Sequence, residues 1–190
     1  MPSQLLEHAQ LVAAFALKAP GREIGYDVAG HLGFLADRLC LQRHNFPVVT
    51  DRRMAVMGMG VDCGVMRTVF DGFNPVVRGE PMFSEVGTFA CRLSDHIMVE
   101  DLDLHSVATT SIVDEIWSAY GSLRIEDLAS AMSDAAVFPE IAAAGHGDDI
   151  TIMDMLHALG FEDAAEIAQH IEDHERMDRL LSVLAPMRHT

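Results

Sequence analysis

Cysteine is scarce in this chain. Cys40, Cys63 and Cys91 are odd in number, far apart and never in a CxxC pair. That excludes a disulfide framework and a zinc ribbon, and it suits a reducing compartment. Basic charge is scarce too: 13 Lys and Arg stand against 29 Asp and Glu, for a net charge of −16. Such a surface argues against nucleic-acid binding through phosphate contacts and against docking on anionic lipid. It favours solubility and the steering of a basic protein partner. The opening residues MPSQLLEHAQ lack a basic region, and the apolar run from Leu11 to Leu17 is too short to span a bilayer. The expected location is therefore cytoplasmic, with no membrane and no direct nucleic-acid partner. Neither a repeat nor a low-complexity tract is present.

Catalytic sets are equally thin. Gly58-x-Gly60-x-x-x-Gly64 departs from the dinucleotide fingerprint, no lysine lies nearby, and no strand is evident before it. A phosphate-cradling loop is thereby excluded. Asp95-His96 and His44-Asn45 read as turns. Asp62 beside Cys63 raises the thiol pKa and argues against an activated nucleophile. The carboxylates are numerous but scattered, so no acid/base pair and no nucleophile–base set emerge. No cofactor is implied.

What the chain does have is apolar residues, 49% of its 190, enough to build the core of one domain. The organising stretch is Thr50 to Phe73. Apolar spacing of helical type enters it at Met54 and Met57 and leaves it at Val65, Met66, Val69, Phe70 and Phe73, with Gly58, Gly60 and Gly64 between. This predicts helix, sharp elbow, helix, with methionines at the corner. Such a corner serves either as core filling or as a binding surface that adapts its shape.

Around it, Ser3 is placed to cap a helix whose apolar positions Leu5, Ala9, Val12, Ala13 and Ala16 share one face, stopped by Pro20-Gly21. A second helix starts near Asp27 and carries Val28, Leu32, Leu35 and Leu39. Phe89, Cys91 and Leu93 alternate, Ser94-Asp95-His96 offers a turn, and Ile97 and Val99 alternate beyond it. The expectation is one β-hairpin from Thr88 to Val99. Ser111 and Asp114 have capping-box spacing before a helix that ends at Gly121; a short helix follows over Ile125 to Met132. Thr151 and Asp154 repeat the cap, Gly160 closes that piece, and a long helix runs from about Asp163 to Leu184. The fold class expected is mainly α: a compact domain of about seven helices with one small β-hairpin and a long C-terminal helix.

On that helix, Glu166, His170 and His174 fall at i, i+4 and i+8. One carboxylate and two imidazoles on one face is a set that zinc or iron accepts, which would make the protein a small metal-dependent hydrolase. The bland alternative, favoured by the acidic residues around them, is a solvated helix face. Trp117, the single tryptophan, is either core or interface anchor.

The order of signals resembles a known family. His31-Leu32-Gly33-Phe34-Leu35-Ala36-Asp37-Arg38 opens a helix, the glycine elbow and hairpin follow, and then come Trp117-Ser118-Ala119-Tyr120-Gly121, Ile125-Glu126-Asp127-Leu128 and Pro139-Glu140. Over residues 5–141 this is similar to the Panacea domain of bacterial and phage proteins, which includes the SocA-type antitoxins. Tyr120-Gly121-Ser122-Leu123 through Leu128 is the nearest match. The family's G-P-V is replaced by Gly60-Val61-Asp62 or Gly64-Val65-Met66, and its Ser/Thr-His by Ser133-Asp134. The resemblance implies a helical domain over residues 1–145, with 146–190 as a helical extension packed on it. It also implies an antitoxin that binds and neutralises a cognate protein toxin and, in the SocA type, delivers it to a Clp-type AAA+ protease. A phage or bacterial inhibitor of a host protein would use the same kind of surface, and a homodimer is compatible with either. The candidate partner-facing residues are Met57, Met59, Asp62 and Met66 at the elbow and the acidic Glu100, Asp101 and Asp103 after the hairpin.

Overall fold

The computed structural model describes residues 3–49, 53–56, 60–63, 67, 69–103 and 107–184. Among them, helices dominate: α1 (Ser3–Lys18), α2 (Tyr26–His44), α3 (Val107–Tyr120), α4 (Ile125–Met132), α5 (Pro139–Ala143), α6 (Ile152–Ala158) and α7 (Ala164–Leu184). Three small antiparallel sheets accompany them. One has the order β1 (Glu23–Gly25), β7 (Ala90–Leu93), β6 (Phe83–Glu85); a second has β3 (Gly60–Cys63), β2 (Arg53–Val56), β8 (Asp149–Ile150); β4 (Val76–Val77) and β5 (Glu80–Pro81) form a ribbon. The fold is thus mainly helical, as the spacing predicts, with more strand than a single hairpin. Among the described residues no helix is long and apolar enough to cross a membrane.

α2 stands at the centre. Every residue from Ala29 to Asp37 is buried, and the helix packs against α1, α3, α4, α6, β1 and β3. Gly30 permits the closest approach: a Cβ there would lie 3.4 Å from the Val61 carbonyl oxygen of β3. Asn45 ends the helix in the left-handed conformation (φ 58°), its N–H donating to Leu41 O, a cap that asparagine tolerates. α1 differs from its expected one-sided amphipathicity, because residues 8–16 are buried all round. The alanines at 9, 13, 14 and 16 keep it slim enough for α2, α3, β1 and β7 to close on it from several sides.

Three expectations are corrected. The elbow is not entered by a helix: β2 and β3 form a hairpin, with Arg53 opposite Cys63 and Val56 opposite Gly60, and among the described residues just beyond it Arg67, Val69 and Phe70 are helical. Two short runs around a glycine-bearing connection are a hairpin signal, and pairing to β8 overrides the helix-like spacing at Met54, while Met57 lies outside the described residues. The other hairpin is displaced. β7 is a strand as expected, but its partners are β6 and β1, with Glu85 opposite Cys91 and Ile24 opposite the same residue. Ile97 is instead a buried plug, and Val99 begins a 3₁₀ turn over Val99–Asp101. Finally, Ser111 lies inside α3, which starts by Val107, so Ser111 and Asp114 do not cap it.

The Thr151 cap holds as expected: Asp154 N–H donates to Thr151 Oγ1 at 3.1 Å, and Thr151 N–H to Asp154 Oδ2 at 2.8 Å. The C-terminal segment shares the core of the rest. β8 extends the β2–β3 sheet, α6 packs on α2, and Ile150, Leu156, Ile167 and Ile171 join one buried cluster with Leu11, Leu32 and Phe34.

α5 is pinned to α2 by a buried ion pair. Arg38 Nε donates to Glu140 Oε1 at 2.6 Å, Nη2 donates to the Val137 carbonyl at 2.7 Å, and the guanidinium lies 4.9 Å above the Phe138 ring. The Glu140 side chain is fully buried.

Two variants test this packing by urea unfolding. Leu35→Ala, deep in α2, should cost about 2–5 kcal/mol. Arg38→Ala should cost about 3–5 kcal/mol by stranding the Glu140 carboxylate, and the Arg38→Met/Glu140→Leu double variant should recover most of that loss. A near-neutral Arg38→Ala would show that the pair does not hold α5.

Candidate partner-binding surface

The glycine hairpin rests on α2 at a histidine. Gly60 has φ +83°, and a Cβ there would clash with the Nε2 edge of the His31 ring, so both the conformation and the space favour glycine. His31 is itself buried, its Nδ1 2.5 Å from the Asp27 carbonyl oxygen. Of the candidate residues at the elbow, Met57, Met59 and Met66 lie outside the described residues. Asp62 is half-buried and engaged: it pairs with Arg67 at 3.2 Å, and the Arg67 guanidinium covers the Tyr26 ring at 5.4 Å. Phe70 meets the same ring edge-on, and Tyr26 Oη donates to the Cys63 carbonyl at 3.2 Å. Asp62 is therefore a brace of the local structure.

The acidic loop after β7 is more informative. Two arginines clamp it. Arg22 donates to the Ser94 carbonyl at 2.8 Å and to the Ile97 carbonyl at 2.6 Å, while Arg78 pairs with Asp101 at 2.5 Å. Asp101 Oδ2 also accepts the Met98 N–H at 2.9 Å. Asp101, expected to face a partner, is turned inward with its side chain 7% exposed, because it caps the turn and neutralises Arg78. Glu100 and Asp103 remain on the surface. Between the buried Ile97 and the clamped Asp101, Met98 and Val99 are held out to solvent, 51% and 57% exposed. Val76 on β4 is exposed as well, on the ribbon whose turn carries Arg78; Phe89 is exposed at the far end of the β6–β7 hairpin.

None of these apolar residues emerges from the sequence as a candidate. The alternation of Ile97 and Val99 hid them by pointing to a strand, and the available signal was the pair Met98-Val99 set directly before Glu100-Asp101. Beside this ridge an open groove of about 580 Å³ is lined by Glu80, Pro81, Ser84, Arg92, Asp95 and His96, with His96 Nδ1 3.4 Å from Glu80 Oε2.

Glu166, His170 and His174 lie on an exposed stretch of α7, and the His174 ring stands edge-on to Phe46 at 5.3 Å. Among the described residues no group of three or more His, Cys, Asp or Glu is placed to hold a metal ion. The three cysteines are buried. Burial, helped by Asp37, pushes the Cys40 thiol up to about 11, and burial pushes Cys91 to about 12. Trp117 is half-buried, its ring 6.5 Å from that of Phe15 and covered by Gly121, where a Cβ would strike the indole. It belongs to the packing between α1 and α3. Comparison with known proteins finds no match to this chain, whether among family models, curated proteins or solved structures.

The glycine geometry predicts an ordering. Gly60→Ala should destabilise the protein clearly more than Gly72→Ala, because Gly72 (φ +109°) has nothing within 4 Å of its Cβ position and pays only the conformational penalty, about 1 kcal/mol. Equal losses in thermal unfolding would remove His31 from the explanation. The thiols give a pH dependence. Their folded pKa values lie above the unfolded value near 9.0, so the stability they contribute is complete below about pH 8.5. It falls as pH rises toward 11 and unfolded thiols ionise. Urea midpoints measured across this range should decline, and Cys91→Ala should flatten part of the slope.

Proposed function

We propose that the protein acts by stoichiometric binding of another protein, as an antitoxin that neutralises a basic toxin, through the ridge formed by Met98, Val99, Glu100 and Asp103. The observation that carries this is the clamped turn. A loop fixed by Arg22, Arg78 and Asp101 presents two adjacent large apolar side chains to water. Solvent-facing anchors on a rigid support lose little entropy on binding, which is what makes a few side chains dominate an interface. The carboxylates around them, and the net charge of −16, favour a cationic partner and speed its encounter.

The resemblance to Panacea-domain antitoxins adds the biological class. Its nearest segment, Tyr120-Gly121-Ser122-Leu123 to Leu128, spans the end of α3, the turn and the start of α4. Delivery of the bound toxin to a Clp-type AAA+ protease is the finer form of the same proposal. In this form the partner lies on the clamped ridge, and the elbow braces the fold behind it.

Co-expression with the product of the adjacent reading frame tests the proposal. A toxic small basic protein should be silenced and should co-purify at one-to-one stoichiometry. The Met98→Asp/Val99→Asp variant should keep its thermal stability and lose at least about tenfold in affinity. Association should slow as salt rises well beyond about 0.15 M. Unchanged affinity in that variant would move the interface off the ridge; failure of any neighbouring product to bind would remove the antitoxin class.

A further inference from the structure

Asp71-Gly72 is the one place in the chain where an aspartate or asparagine precedes glycine. The two asparagines stand before Phe46 and Pro75, and the Pro75 nitrogen carries no hydrogen. The pair forms an exposed turn just past Val69 and Phe70, and both ends of that turn are anchored. Upstream, the Asp71 N–H donates to the Arg67 carbonyl at 2.8 Å. Downstream, Asn74 brackets Phe83: Nδ2 donates to the Phe83 carbonyl at 2.6 Å, and Oδ1 accepts the Phe83 N–H at 2.8 Å. The Pro75 carbonyl accepts the Met82 N–H at 2.7 Å. Between the anchors Gly72 has φ +109°, and nothing lies within 4 Å of the position its Cβ would take. Among the described residues the Gly72 N–H meets no acceptor, and the Asp71 carboxylate meets neither donor nor cation.

The turn therefore sets a nucleophile beside an electrophile. The Asp71 carboxyl carbon stands one methylene from the main chain, so attack by the next amide nitrogen closes a five-membered ring. Glycine has no Cβ to crowd that nitrogen, and its peptide turns into line at little conformational cost.

We propose that Asp71 is a site of spontaneous isomerisation to isoaspartate, which proceeds in the folded protein through a cyclic imide with Gly72. In the first step the Gly72 nitrogen bonds to Asp71 Cγ, and the hydroxyl of the protonated carboxyl leaves with the amide hydrogen as water. In the second, water adds to one of the two imide carbonyls. Opening at Cγ restores aspartate. Opening at the α-carbonyl leaves the main chain running through Cβ and Cγ, with the α-carboxylate as the side group. Nothing is oxidised or reduced, and the product keeps the mass of the original chain. One carbon is added to the main chain between the two anchors, where the turn is open to solvent. The Met98–Val99 ridge takes no part in this chemistry.

Magnitudes separate two routes. A peptide that reacted only after global unfolding would be slowed in the folded chain by at least about 10³-fold, the population ratio of a typical domain. A turn already open needs only local motion, and stays within about tenfold of the unfolded rate.

Incubation of the full chain at neutral pH, folded and in urea, tests this. Trypsin cuts after Arg67 and Arg78 and releases residues 68–78, in which Asp71 is the single acidic residue. Chromatography with electron-transfer fragmentation distinguishes the isoaspartyl peptide from its isomer of equal mass. The folded chain should accumulate isoaspartate at Asp71 within about tenfold of the unfolded rate, ahead of every other aspartate. Gly72→Ala should slow the reaction at least about tenfold in both states. Asp71→Glu, which would need a six-membered ring, should abolish it with an unchanged circular-dichroism spectrum. Stronger suppression in the folded chain, an unslowed Gly72→Ala variant, or another aspartate that isomerises faster would each overturn the proposal.

Discussion

Enclosure of the middle of α2 is the constraint on which the rest of the structure depends. Nine consecutive residues, Ala29 to Asp37, are buried, so the helix has no solvent face along that length. A helix in this position needs small residues where backbones must approach, and Gly30 meets the Val61 carbonyl of β3. It also requires partners on every side, supplied by α1, α3, α4, α6, β1 and β3. Two of the three small sheets close on α2, through β1 and β3. None of the three is large enough to stand alone, and the sheets of β1 and of β3 are backed by helices, α1 and α2 under the first and α2 and α4 under the second.

Enclosure also forces the buried polar groups into specific bonds. Asp37 Oδ1 accepts the Val49 N–H at 2.9 Å, tying the loop after α2 back to the helix. Glu140 is neutralised by Arg38 across α2 and α5. A buried carboxylate without such a partner would cost several kcal/mol. These bonds locate loops and short elements that have too little apolar surface to fix themselves. The same device operates at the surface in Arg22 and Arg78, where bonds to carbonyls and to Asp101 convert an acidic loop into a rigid turn. Met98 and Val99 are exposed on that turn, between the buried Ile97 and the bonded Asp101.

Much of the helical framework was legible in the sequence. Apolar spacing and stop signals place α1, α2, α4 and α6 and the long α7 to within a few residues, because each follows from local chemistry: Pro20-Gly21 ends one, the Thr151–Asp154 box begins another, and Gly160 at φ +82° closes it. The strands were far less legible. β2 reads as a helix end, and β6 and β1 were not foreseen, because a strand of three or four residues carries almost no periodicity of its own and is defined by the neighbour it pairs with. The candidate surface was legible in part. Of its acidic candidates, Glu100 and Asp103 are exposed, whereas Asp101 is held inward by Arg78 and Asp62 is paired with Arg67.

What the sequence by itself determined was the charge, the absence of a cysteine framework, and the approximate extent of most of the helices. These depend on composition and on contacts a few residues apart. Tertiary structure alone decided which side of each element faces water. It turned Ile97 inward and Met98 outward, enclosed residues 8–16 of α1 on all sides, and left Met177 and Leu180 of α7 exposed. The physical reason is that burial is a property of what packs opposite: Arg22 reaches Ile97 and Arg38 reaches Glu140 across 75 and 102 residues of chain, and no local pattern records such distances.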